Sequence, residues 1–168
     1  MNTDSNKLKI FLEKVEKIKA SGGVDLSAAE DLSIAVMNLI SLEEHLFFTG
    51  AKTGDGKYHD LTTEVREMRK RLLADLVPRH EGETWCASKH LLAATMRLIE
   101  VGTRYRKDGD AARAAGYFTD AYRLYSIFFA LKSKLISANA LGGAAASGAK
   151  DGWSLETLMT KLADCCNE

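Results

Sequence analysis

Proline is nearly missing from this chain: its 168 residues contain one, Pro78. A β-rich domain of this length would need many turn signals, so a chain with so few breakers reads as long helices. Cysteine is scarce too, with Cys86, Cys165 and Cys166 only. The number is odd and two are adjacent, which excludes the disulfide frameworks of small secreted domains. Neither sign of charge is in excess, since 23 Lys and Arg balance 23 Asp and Glu. No global field draws nucleic acid or anionic lipid towards the chain, which argues against both as partners. No run of about 18 apolar residues is present, so no membrane span is expected. The opening "MNTDSNKLKIFLEKVEKIKA" is broken by charges every few residues and lacks the apolar core of a signal peptide. These absences point to a cytoplasmic protein without membrane attachment.

What is present is helical periodicity. Apolar residues make up 46% and charged residues 27%, the proportions of a globular chain, and the length suits one domain. Leu8, Phe11, Val15 and Ile18 form a stripe in a first helix, which Ser21-Gly22-Gly23 ends. A second helix starts near Asp25 or Ser27, with Ser27 and Glu30 as a capping box, and runs through Leu32, Val36, Leu39, Leu42 and Leu46. Apolar residues cover much of its circumference, which predicts a central helix ending in the glycine-bearing "FFTGAKTGDG". A third helix carries Tyr58, Leu61, Val65, Met68 and Leu72 as a seam on an otherwise charged surface. Pro78 marks the boundary beyond it, before helices over 84–106 and 110–136.

From Ser137 to Gly152 the sequence becomes "SANALGGAAASGAKDG", which reads as a flexible linker. The last segment places Leu155, Leu158, Met159 and Leu162 on one face of a short helix. A helix of that length is marginal alone, so it must dock on the bundle, a second subunit or a partner. The expectation is therefore an all-α, single-domain antiparallel bundle of about five helices over 1–136, a linker over 137–152 and an amphipathic C-terminal helix over 153–168.

The stretch "VGTRYRKDGDAARAAGYFTDAY" sits at the junction of the last two bundle helices. Leu98, Val101, Gly102 and Tyr105 precede Gly109, and Ala114, Phe118 and Ala121 follow it. Gly102 and Ala114 lack bulk and let two helices approach, Tyr105 and Phe118 fill the surrounding space, and Asp110 can cap the second helix. Over about residues 95–126 this order and spacing resembles one tetratricopeptide repeat. It departs from the family at Ser126, where the repeat usually places a helix-ending proline, and no second copy follows. The resemblance implies a tight antiparallel hairpin. A single hairpin cannot form the concave peptide groove of that family.

Functional leads in such a bundle are polar side chains on apolar lines. "SLEEHLFF" supplies Glu43, Glu44 and His45, and "WCASKHLLAATMRL" supplies Cys86, Lys89, His90 and Arg97. One reading is a zinc or iron site from Glu43, Glu44, His45, Cys86 and His90, because Cys86 and His90 share a helix face and the carboxylates can bridge from a facing helix. The alternative is a buried polar network, in which Glu43 or Glu44 pairs with Lys89 or Arg97 across a helix interface. A small-ligand pocket lined by the same groups is a third use. His59 and His80 are expected to be exposed, and Cys165 and Cys166 belong to the tail.

Two motifs are decoys. "GAKTGDGKY" fails as a phosphate-binding loop, because its spacing is one residue too long, Tyr58 replaces the magnesium-binding hydroxyl and no strand precedes it. Arg66, Arg69, Lys70 and Arg71 form a basic patch that Glu64, Glu67 and Asp75 dilute, which favours a solvated helix face over nucleic-acid contact. No nucleophile signature surrounds any Ser, Thr or Cys. The sequence therefore predicts a non-enzymatic helical interaction protein that acts through self-association or a protein partner. A metal- or small-ligand-binding bundle is the alternative.

Overall fold

The structure, a computed structural model, describes residues 26–77 and 82–136, together with Glu13 and Lys17. Helix α1 covers Leu26–Thr53, α2 covers Lys57–Leu76, α3 covers Glu83–Lys107 and α4 covers Ala111–Lys132. Among the described residues these four helices, with helical Glu13 and Lys17, make up the regular structure, and the all-helical expectation holds. The described residues hold four helices, which correspond to the second to fifth of the five predicted; the C-terminal helix falls outside them. Of the predicted first helix, Glu13 and Lys17 are helical and exposed, and four-residue spacing puts them on one face. The stripe of Leu8, Phe11, Val15 and Ile18 lies outside the described residues, as do Pro78, His80, the 137–152 linker and Leu155, Leu158, Met159 and Leu162.

Helix α1 runs further than its sequence suggests. It continues through "FFTGAKT" and stops at Thr53, where Gly54 takes a φ of +70° and its amide donates to the Gly50 carbonyl at 2.8 Å. Gly50 is not a breaker here but a point of close approach. A Cβ built on it would meet the His59 ring at 3.1 Å and the Tyr58 Cβ at 3.2 Å. The turn into α2 is closed by Asp55, whose carboxylate accepts from the Lys57 amide at 3.0 Å.

Helices α1 and α2 form one antiparallel hairpin and α3 and α4 a second, and α1 also packs on α3. The shared core draws Val36 and Met37 from α1, Leu73 and Leu76 from α2, Leu92 from α3, and Phe128 and Phe129 from α4. These come from the first halves of α1 and α3 and the second halves of α2 and α4, so the core sits at one end of the molecule. Ser33 and Tyr125 share a 2.6 Å hydrogen bond there, between α1 and α4. Burial pushes the Tyr125 phenol up to about 12, against the hydrogen bond shared with Ser33.

The predicted seam of α2 is its packing line only in part: Leu72 packs against the core. Thr62, Arg69, Leu73 and Leu76 are buried, whereas Leu61 and Met68 are exposed. The polar members of the buried line are satisfied: Thr62 donates to the Tyr58 carbonyl at 2.7 Å, and Arg69 meets a carboxylate described below. Helix α1 also carries an 18-residue window of mean hydropathy 1.2, within Ala28–Thr53. By length and composition alone it could cross a membrane, which counting unbroken apolar runs did not reveal. Val36, Met37 and Leu46 of that segment are buried in this fold.

Candidate interaction site

The polar residues singled out in "SLEEH" point to different neighbours. Glu43 faces α2, where Arg69 Nε donates to Oε1 at 2.5 Å and Arg66 Nε to Oε2 at 3.0 Å. Arg69 is only 7% exposed, so the supposed solvated patch contributes a buried cation. Burial pushes the Glu43 carboxyl up, but the Arg69 and Arg66 hydrogen bonds and charges outweigh it and hold the group below its ordinary 4.5. Glu44 faces α3 and accepts from Arg97, which also donates to Glu100 at 2.5 Å. The Glu44 hydrogen bond is the main cause that raises the Arg97 pKa, against partial burial and with help from Glu100.

Of the predicted buried network, the structure brings Glu44 and Arg97 together, but at the surface, with their side chains 49% and 45% exposed. Glu43 pairs with the two α2 arginines instead of Lys89 or Arg97, and Lys89 enters neither ion pair. The reason is connectivity. The short Gly54–Gly56 turn folds α2 back along α1 and presents Arg66 and Arg69, three residues apart on one face, to Glu43. That spacing, opposite a glutamate on an apolar helix, was the available signal.

The five predicted metal ligands do not converge. Glu43 and Glu44 are committed to arginines on different helices, and His45, Cys86 and His90 are exposed. Among the described residues, no group of three or more His, Cys, Asp and Glu side chains could hold a metal ion.

Past the Glu44–Arg97 pair, α1 and α3 border an open cleft of about 560 Å³. Glu44, His45, Phe48 and Lys52 line it from α1, and Arg97 and Glu100 from α3. Phe47 and Phe48 meet edge to face, with ring centroids 5.3 Å apart, and are 53% and 58% exposed. Among the described residues neither belongs to the shared core, which lies towards the other end of α1. Sequence reasoning placed these two phenylalanines in a loop and missed them.

The second hairpin closes as its sequence demands. Gly102 and Ala114 are buried, and Asp110 accepts from the Arg113 amide at 3.0 Å after Gly109 turns the chain at φ +87°. Tyr105 stacks on Tyr117 with centroids 5.4 Å apart, and the Arg113 guanidinium lies 4.8 Å from the Tyr105 ring centre. Comparison with protein-family models, curated proteins and solved structures gives no match to this chain. The tetratricopeptide likeness therefore stands on the spacing of this one hairpin.

Proposed function

We propose that the protein is a non-enzymatic interaction module, and that it binds a protein partner through the Phe47–Phe48 end of α1. The observation that carries this reading is the pair of adjacent phenylalanines, each more than half exposed, beside a charged cleft. Exposed aromatic pairs act as anchors that a partner desolvates, while a polar rim fixes orientation. Here the rim is His45, Lys52 and the Arg97 pairs with Glu44 and Glu100. A helix with an apolar stripe fits this surface, laying the stripe on the two rings and polar groups against the rim. The charged residues of the cleft are largely neutralised by each other, which favours a rim over a catalytic centre. The reading keeps the cytoplasmic location expected from the sequence.

The test compares retained proteins. Immobilised wild-type chain and a Phe47→Ser/Phe48→Ser variant are exposed to the same extract, and candidates are then rebound in purified form. A partner held by the wild type and lost by the variant, with both folded by circular dichroism, is the expected result. Identical retention by both overturns the reading. Repeating the comparison without residues 137–168 shows whether the amphipathic tail takes part.

A further inference from the structure

The outward side of α2 carries a second apolar line, remote from Phe47 and Phe48 in role. Leu61 and Met68 are 45% and 47% exposed, because Thr62, Arg69, Leu73 and Leu76 take the contact with α1. Val65 and Leu72 lie between the two sets and are half-buried. Leu61, Val65, Met68 and Leu72 follow one another at four, three and four residues, the spacing by which a helix packs on another helix along a seam.

Four exposed charges flank this line, Lys57, Glu64, Arg71 and Asp75, with exposed Asp60 set further round the helix. Among the described residues none of the four is in an ion pair, although Glu67 and Lys70 on the same helix pair with each other. Their signs alternate along the helix as plus, minus, plus, minus. Read from the other end, the order is reversed. Two copies laid antiparallel would set Lys57 near Asp75 of the second copy and Glu64 near its Arg71, and twofold symmetry makes each pairing twice. The same register, within a turn, faces Leu61 with Leu72 of the second copy and Val65 with its Met68. A parallel arrangement would carry the two charged rows to opposite sides of the seam, where none of these pairs could form.

We infer that α2 is a homodimer contact, in which two copies pair α2 against α2 antiparallel about a twofold axis between Val65 and Met68. This gives the self-association expected from the sequence a surface and a geometry. It stands or falls separately from the partner site at Phe47 and Phe48.

The test is sedimentation of the full chain over a wide concentration range, with circular dichroism to establish that each variant is folded. The wild type is expected to dimerise. Glu64→Arg alone and Arg71→Glu alone each create two like-charge contacts and should weaken the dimer about tenfold or more. An equimolar mixture of the two variants, and the double reversal in one chain, should each restore the affinity. Phe47→Ser/Phe48→Ser should leave it unchanged. A monomer at every concentration overturns the inference, and is the result expected if the chain's own first 25 residues or a different protein covered this face. A dimer indifferent to the charge reversals overturns it equally.

Discussion

Glu43 shows at the scale of one residue how burial and pairing compete. Its carboxylate is shielded between α1 and α2, where burial raises its pKa and its two arginines lower it further than burial raises it. The partners are unequal. Arg69 is buried and Arg66 is half in water, so removing Arg69 deprives a shielded charge of its closest donor. Arg69→Met should cost about 2–3 kcal/mol and Arg66→Met less than about 1 kcal/mol, read by urea denaturation. Equal costs would show that burial is not what separates them. Because the folded-state pKa lies below the ordinary 4.5, the unfolded chain takes up this proton first as pH falls. The Glu43 contribution is thus complete above 4.5 and is lost as pH drops through the folded value. Glu43→Gln should be less stable than wild type at neutral pH and should lose less stability on acidification through that range. Parallel curves for the two would contradict the assignment.

At the scale of the element, the α3–α4 hairpin turns on the missing side chain of Gly102. A Cβ there would lie 2.6 Å from Cε1 and 2.9 Å from Cδ1 of Phe118, far inside contact distance. Helix propensity alone favours alanine over glycine by about 1 kcal/mol, so the two effects oppose each other. The Phe118 ring must swing away as a unit, and Gly102→Ala should destabilise by about 1 kcal/mol in the wild-type background. In a Phe118→Ala background the obstacle is gone, and the same change should stabilise by up to about 1 kcal/mol. A double-mutant cycle by thermal melting reads the reversal of sign, and additive effects would show that the ring does not set the spacing. This corner was the most legible part of the sequence. Gly102, Gly109, Asp110 and Ala114 each act through near neighbours along the chain or directly across a short turn. The α2 seam was legible as a pattern and only in part as a contact. Periodicity located Leu61, Val65, Met68 and Leu72 on one face, but α1 packs against the adjoining face through Thr62 and Arg69. That choice depends on a glutamate on another helix, which no spacing within α2 contains.

At the scale of the whole molecule, stability is unevenly distributed. The shared core joins the first halves of α1 and α3 to the second halves of α2 and α4, while beside Phe47 and Phe48 the half-exposed Glu44–Arg97 pair bridges the hairpins outside that core. Native-state hydrogen exchange should therefore be slowest around Val36, Leu73, Leu92 and Phe128. It should be faster around Phe47, Phe48 and the turn at Gly54–Gly56. Uniform protection along α1 would contradict this division. A partner docking at Phe47 and Phe48 would slow exchange at that end alone, which separates its effect from that of pairing through α2.

By itself the sequence determined the helical class, the tight corner at Gly102 and Ala114 and the cap at Asp110, because each depends on chain-local geometry. It also marked the carboxylates in "SLEEH" as polar groups on apolar lines, with cationic partners as one of three uses. Only the tertiary structure decided which cations those are, that Arg69 is buried, that Leu61 and Met68 are left outside, and that Phe47 and Phe48 stand clear of the core. Those outcomes depend on the rotation of each helix about its own axis against its neighbours. A rotation of one residue's arc exchanges a buried side chain for an exposed one without altering the periodicity of the sequence.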